Sequence, residues 1–253
     1  MTIRQFNLGH SGQLAWPMDQ NELDNLAYTL LVSPRVGNAH GYSPPDLETY
    51  EEQVVDVKNL RTEIEADRWP SEFLIKYLGN DDLSPILAKY LLLSKKTPKK
   101  CADVVRMDHP FDIWDKVIEK YIADEAIAPL AAHAHQGDPF VEKVLLRANA
   151  HVLIANALDK AFDVKYYFGT CRPIEYYDPS IQRFATPNHP ESPAGHGAFS
   201  GGATNAFETY MDATQPQKDA VTFATKQFAM FRSFSAMHIP YSNLLGWTIG
   251  YEV

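Results

Sequence analysis

The chain has 253 residues, 45% of them hydrophobic, which is enough for one large domain or two small ones around a substantial core. Acidic residues outnumber basic ones by 32 to 23, giving a net charge of −9 and a pI near 5.4, and this balance argues against a surface built for nucleic acid. No run approaches the roughly 18 apolar residues of a membrane span, and the N-terminus lacks the charged and apolar regions of a signal peptide, so the expectation is a soluble, cytoplasmic protein with no membrane partner.

Helical periodicity recurs in chain order over about 20–33, 48–65, 70–79, 83–95 and 111–135, separated by turn-rich breaks such as SPRVGNAHGYSPPD. The basic run KKTPKK at 95–100 reads as a solvated loop, and with Ser94 it is the expected seam between an N-terminal helical part and a C-terminal one. Cys101 and Cys171 are too few for a disulfide framework and read as reduced structural thiols. From Asp138 the pattern is strong: a capping carboxylate, Pro139 at the first helical position, then Phe140, Val144, Ala148, Val152 and Ala155 at helical spacing, which predicts a buried helix over 138–160. Further helical patterns cover 196–212 and 217–235. Ala198, Gly201, Gly202, Ala203 and Ala206 crowd the start of the first of these, a surface that another helix can approach closely. Strand alternation is scarce. The expected fold is an all-α helical bundle, with an N-terminal helical part, 1–137, packed on a helical core, 138–253, in one globular unit.

Three blocks carry chemistry. KYYFGTCRP holds Lys165 and Arg172, PNHPESPAGHGAFSGG spans 187–202, and FRSFSAMHIPYSN holds Arg232 and His238. Three cations and two histidines from the ends of helical segments suit a tetrahedral oxyanion, and a helix start at Gly195 and His196 adds free N–H donors and a favourable dipole. His133 and His135 in AAHAHQG invite a metal, yet residues two apart on a helix face different sides, which favours a helix-end or surface role. His189 either lines the mouth of such a site or stabilises a turn. The aromatics Tyr166, Tyr167, Phe168, Tyr176 and Tyr177 shape a pocket or, with more weight, join the core.

The order Lys-x6-Arg-Pro, then Pro-x-Gly-His, then Arg-x5-His resembles the vanadium-dependent haloperoxidases and the acid phosphatases that share their site. The flanks HPESPAGHGAFSGGA, KYYFGTCRPIEYY and MHIPYSNLLGWTIG resemble the bacterial haloperoxidases, and the likeness spans 138–253. The resemblance implies the helical bundle of that family and a vanadate, or in the phosphatases a phosphate, held among the cations. It gives Lys165, Arg172 and Arg232 the equatorial oxygens, the 194–195 backbone (Ala194, Gly195) one more bond, and His196 the role of general acid–base. It makes His238, on the last helix, the residue that bonds vanadium or attacks phosphorus. The implied partners are the oxyanion, peroxide, and a halide or small organic substrate. Residues 1–137 have three open roles: closing over the site, forming a homodimer face, or completing the bundle.

The chain departs from that family twice. Ala194 stands where the family has serine, and Ser242 stands where it has an aspartate that orients the histidine. The expectation is a site short of one hydroxyl and of the carboxylate behind His238, and hence a gain in vanadate affinity when Ala194 becomes serine and Ser242 aspartate. Three functions follow: a vanadate-dependent haloperoxidase, a phosphatase working through a phosphohistidine at His238, and a diverged site that binds a small molecule without redox chemistry.

Overall fold

The computed structural model of the chain describes residues 38–93, 97–106, 110–130, 139–176, 187 and 189–253. Its first helix, α1 (Leu47–Glu65), starts where the Asp46 carboxylate accepts the Thr49 N–H at 2.7 Å, and it buries Tyr50, Val54, Val57, Leu60 and Ile64 at three- and four-residue steps. α2 (Ser71–Leu78) ends at Gly79, whose φ of 72° is the left-handed cap that glycine adopts without strain. Then come α3 (Pro85–Tyr90), α4 (Pro98–Val104), α5 (Pro110–Glu125), α6 (Pro139–Phe168), a 3-10 turn (Pro173–Tyr176), α7 (Gly195–Tyr210), α8 (Gln215–Phe234) and α9 (Pro240–Tyr251). Proline opens α3, α4, α5, α6 and α9, where a missing N–H leaves no helical bond unmade. A capping box between Thr214 and Gln217 starts α8. Among the described residues the fold is all-α, and the one β feature is an isolated bridge between Pro129 and Met211.

Several boundaries differ from the sequence expectation. The helix expected over 83–95 is only Pro85–Tyr90, and Leu92 takes a positive φ of 53°. The second half of the basic run is not a loop, because Pro98 opens α4 with Lys99 and Lys100 in its first turn. The 111–135 helix stops at Glu125, where Ala126 has a φ of 52°. The pattern at 20–33 and the pair His133 and His135 lie outside the described residues.

The largest correction concerns α6. The stripe expected to be buried faces solvent: Phe140 is 73% exposed, Val144 48% and Val152 56%, and Ala148 and Ala155 are exposed beside them. α6 is apolar on more than one side, so spacing alone does not select the inward face. Size does. The buried line is Ile154, Ala157, Ala161, Val164 and Lys165, whose small members let α7 lie against α6, with a Cβ at Gly202 falling 3.1 Å from the Ala157 Cβ and 3.0 Å from the Ile154 Cα.

α7 and α9 meet more closely still. A Cβ at Gly197 would lie 2.4 Å from the Asn243 carbonyl oxygen, at Gly201 2.0 Å from that of Trp247, at Gly246 2.2 Å from that of Ala194, and at Gly250 2.1 Å from that of Ala198. The helices therefore touch backbone to backbone. The main core cluster runs from Leu60 to Phe234 and takes residues from both sides of position 138, with Trp114 edge-on to Phe228 at 5.1 Å and Phe111 to Phe199 at 4.9 Å. Cys101 and Cys171 are free and buried. Burial pushes the Cys101 thiol up to about 12, so iodoacetamide at pH 8 is expected to leave Cys101 unlabelled in the native protein and to label it after unfolding, read by peptide mass.

Candidate functional site

α6 continues past the expected 160 to Phe168, and this extension places Lys165 in its last turn. Gly169, with a φ of 60°, turns the chain and donates its N–H to the Lys165 carbonyl at 2.8 Å. The strand of chain that follows is latched to the middle block: the Glu191 N–H donates to the Thr170 carbonyl at 3.0 Å and the Ser192 N–H to the Thr170 hydroxyl at 2.7 Å. Lys165, fully buried, donates from Nζ to the Pro190 and Glu191 carbonyls at 2.8 and 2.9 Å. Arg172 is held beside it by the same latch. Its Nη1 donates to the Met237 carbonyl at 3.0 Å and lies 3.4 Å from His238 Nε2, while Nη2 donates to the His189 carbonyl at 3.1 Å and lies 3.1 Å from His189 Nδ1.

The third cation comes from the end of α8, where Arg232 Nη1 donates to the Val105 carbonyl at 2.8 Å. After α8 the chain turns at Ala236, with a φ of 57°, and the Met237 N–H donates back to the Arg232 carbonyl at 3.1 Å. His238 therefore sits in the loop ahead of α9 and not on the last helix, which begins at Pro240. Ser233 fixes it by donating its hydroxyl to the His238 carbonyl at 2.8 Å. His196 occupies the first turn of α7, close to the same Val105 carbonyl.

The electrostatics couple these groups to one another. Burial, then the charge of Arg172, pulls the Lys165 ammonium well below its usual range, with Glu191 opposing. Burial and Arg172 likewise weaken the proton affinity of Arg232. His238 and His196 are both held well below the ordinary imidazole value, first by burial and then by repulsion from all three cations.

Sequence reasoning missed the carboxylate that the described residues bring to this cluster. Glu191 is fully buried; its Oε1 accepts the Ile239 N–H at 3.0 Å and lies 3.0 Å from His238 Nδ1, and its Oε2 accepts the Ser242 hydroxyl at 2.6 Å. Burial pushes its carboxyl up to about 7 against the pull of Ser242, Lys165, Arg172 and the Ile239 N–H. In the sequence Glu191 reads as a turn residue between two prolines. The available signal was charge: three inward cations need an anion, and the middle block offers a single acidic residue. The expectation that His238 lacks a charged neighbour is thus corrected, since Ser242 brings no charge itself but bonds the carboxylate that does.

Ala194 is corrected too. Its N–H donates to the Ser242 carbonyl at 2.8 Å and its methyl is buried in the α7–α9 contact, so neither reaches toward the cations as an oxyanion donor. Gly195 remains at the start of α7, where first-turn N–H groups have no carbonyl partner within the helix. The N-terminal part also reaches the site: besides Val105, the Tyr50 hydroxyl donates to the Cys171 carbonyl at 2.7 Å, and Gln53 accepts the Tyr241 N–H at 2.6 Å.

His189 touches Arg172, and its ring lies edge-on to Phe162 at 5.0 Å. Tyr166 and Tyr167 are exposed rather than core, because they fall on the outer side of the last turn of α6. Among the described residues no group of His, Cys, Asp and Glu is arranged to hold a metal ion by itself, and no helix is long and apolar enough to cross a membrane.

An oxyanion fits the donor set. Arg232 Nε and His196 Nε2 are buried with no hydrogen-bond partner, and among the described residues three cations lie close to one carboxylate. No family model and no curated protein matches the chain. Among solved structures, one described as the first bacterial vanadium-dependent iodoperoxidase is similar, at 16% identity and a TM-score of 0.49, over 86% of this chain and 50% of that one. This chain spans half the length of that protein.

Proposed function

We propose that the protein holds orthovanadate among Lys165, Arg172, Arg232, the Gly195 end of α7 and His238, and uses peroxide to oxidise a halide or a small organic substrate. The observation that carries this reading is the clustering of cationic side chains: among the described residues Lys165, Arg172 and Arg232 are buried close to a single carboxylate, Glu191, an arrangement that a bound anion relieves. Vanadate supplies, when bound, the Lewis acidity that makes a coordinated peroxide electrophilic.

The protein's own groups have separable tasks. Lys165 and Arg172 are pinned by backbone carbonyls, so they present charge without having to reorganise. Arg232 Nε and His196 Nε2 are among the buried polar atoms without a hydrogen-bond partner in the protein. His196, kept neutral by its surroundings, is suited to take a proton from peroxide and return it to a departing oxygen at Nε2. His238 directs Nε2 toward Arg172 and the cation cluster.

The same Nε2, with a carboxylate behind the other ring nitrogen, also suits a nucleophile, and this favours as second reading a phosphatase with a phosphohistidine at His238. Calorimetry with orthovanadate, paired with assays for iodide oxidation by peroxide and for phosphate release from an aryl ester, separates the readings. Wild type is expected to bind orthovanadate and oxidise iodide, and His238→Ala to lose at least about 10-fold in affinity. Ester hydrolysis without iodide oxidation would select the phosphatase, and equal affinity in both proteins would remove the site altogether.

A further inference from the structure

We propose that Glu191 is the positioning residue of this site: it fixes the His238 ring so that Nδ1 carries the proton and Nε2 keeps its lone pair for the bound oxyanion. The proposal rests on the oxyanion-site reading for its functional consequence and on geometry for its substance. Above about pH 7, where Glu191 is ionised, its carboxylate only accepts hydrogen bonds, so its 3.0 Å contact with His238 Nδ1 places the hydrogen on that nitrogen. The other nitrogen then faces Arg172 Nη1, a donor, at 3.4 Å, which matches a lone pair and opposes an N–H.

Glu191 is itself held from five directions. The Ile239 N–H shares Oε1 with His238 at 3.0 Å and Ser242 donates to Oε2 at 2.6 Å, so three donors hold the carboxylate through both oxygens. Its backbone is pinned through the Thr170 carbonyl at 3.0 Å and Lys165 Nζ at 2.9 Å. A carboxylate so restrained sets a ring orientation rather than following one. The family resemblance puts the orienting acid one turn into α9, at position 242. Here the acid arrives from the middle block, and the residue at 242 has become its hydrogen-bond donor.

Two measurements test the proposal. In anion-free protein, the nitrogen-15 shifts of the His238 ring report the tautomer directly: wild type is expected to show a protonated Nδ1 and an unprotonated Nε2, and Glu191→Gln to lose that fixed state. With orthovanadate as probe, Glu191→Gln is expected to weaken binding by about 10- to 100-fold in calorimetry. A retained tautomer together with affinity within about twofold would overturn the proposal. Because the tautomer is read without any anion, its loss in Glu191→Gln stands even if His238→Ala shows that no oxyanion binds, so failure of the function and failure of this inference are distinguishable. Ser242→Asp serves where Glu191→Gln does not fold. It sets a second carboxylate against Glu191 Oε2 and is expected to weaken orthovanadate binding; an imidazole without an anionic neighbour would instead gain from it, and a tightening would overturn the proposal.

Discussion

Replacing Arg232 by methionine is expected to weaken orthovanadate binding by about 10- to 100-fold while leaving the thermal midpoint of the anion-free protein unchanged or higher. The two effects have opposite origins. Toward a bound anion, Arg232 contributes a charge-assisted hydrogen bond worth roughly 1.5 to 3 kcal/mol. Without the anion, the same guanidinium is buried beside Arg172, satisfied through Nη1 by one carbonyl, and has Nε without a partner. Methionine is of similar length and gives up that one carbonyl bond, about 1 kcal/mol, in exchange for relief from desolvation and repulsion, and exchanges of this kind are commonly neutral or stabilising. Calorimetry and a thermal melt, each with and without orthovanadate, read both quantities. A midpoint that drops by several degrees with unchanged affinity would make Arg232 a structural residue only.

Gly201→Ala is expected to be the most damaging glycine-to-alanine change among the described residues. The added carbon would lie 2.0 Å from the Trp247 carbonyl oxygen and 2.7 Å from the Tyr251 nitrogen, and both obstacles are helix backbone that cannot rotate aside. α9 must move away from α7, and overpacking of this sort costs up to about 3 kcal/mol or more. For a chain of this size that is a fall of roughly 6 to 12 °C in the thermal midpoint. Orthovanadate affinity should fall as well, because the displaced helix carries Ser242 and follows directly on His238. Gly41, where a side chain would meet nothing within 4 Å, makes a suitable control only for space, since its φ of 85° carries its own strain.

Much of the fold was legible because its signals are local. Prolines at helix starts, capping residues and the three-and-four spacing within α1 act over a few residues, and the helices stand close to where those signals place them. The inward face of α6 was not legible, because it depends on which neighbour fits: the larger Phe140, Val144 and Val152 form the more conspicuous stripe, and the alanines that accept α7 are inconspicuous until the glycines opposite them are in place. The cations and histidines of the site were readable as types at a spacing. The carboxylate was not, since Glu191 is 47 positions from His238 and the pairing exists only after the middle block is latched to Thr170.

The backbone contact between α7 and α9 also governs how this pocket can vary. In most helix pairs the spacing is set by side chains, and exchanging a leucine for an alanine or a phenylalanine is a continuous adjustment. Here four glycines remove that dial: the separation of α7 and α9 is one polypeptide thickness, and no substitution at the crossing can make it smaller or tune it in steps. Variation in the size and chemistry of the pocket is therefore channelled into the parts that are not in the crossing, namely the 189–193 turn and the Val105 end of α4. A library aimed at a new substrate belongs at His189 and Ser192, with residues 194–202 and 242–250 left untouched.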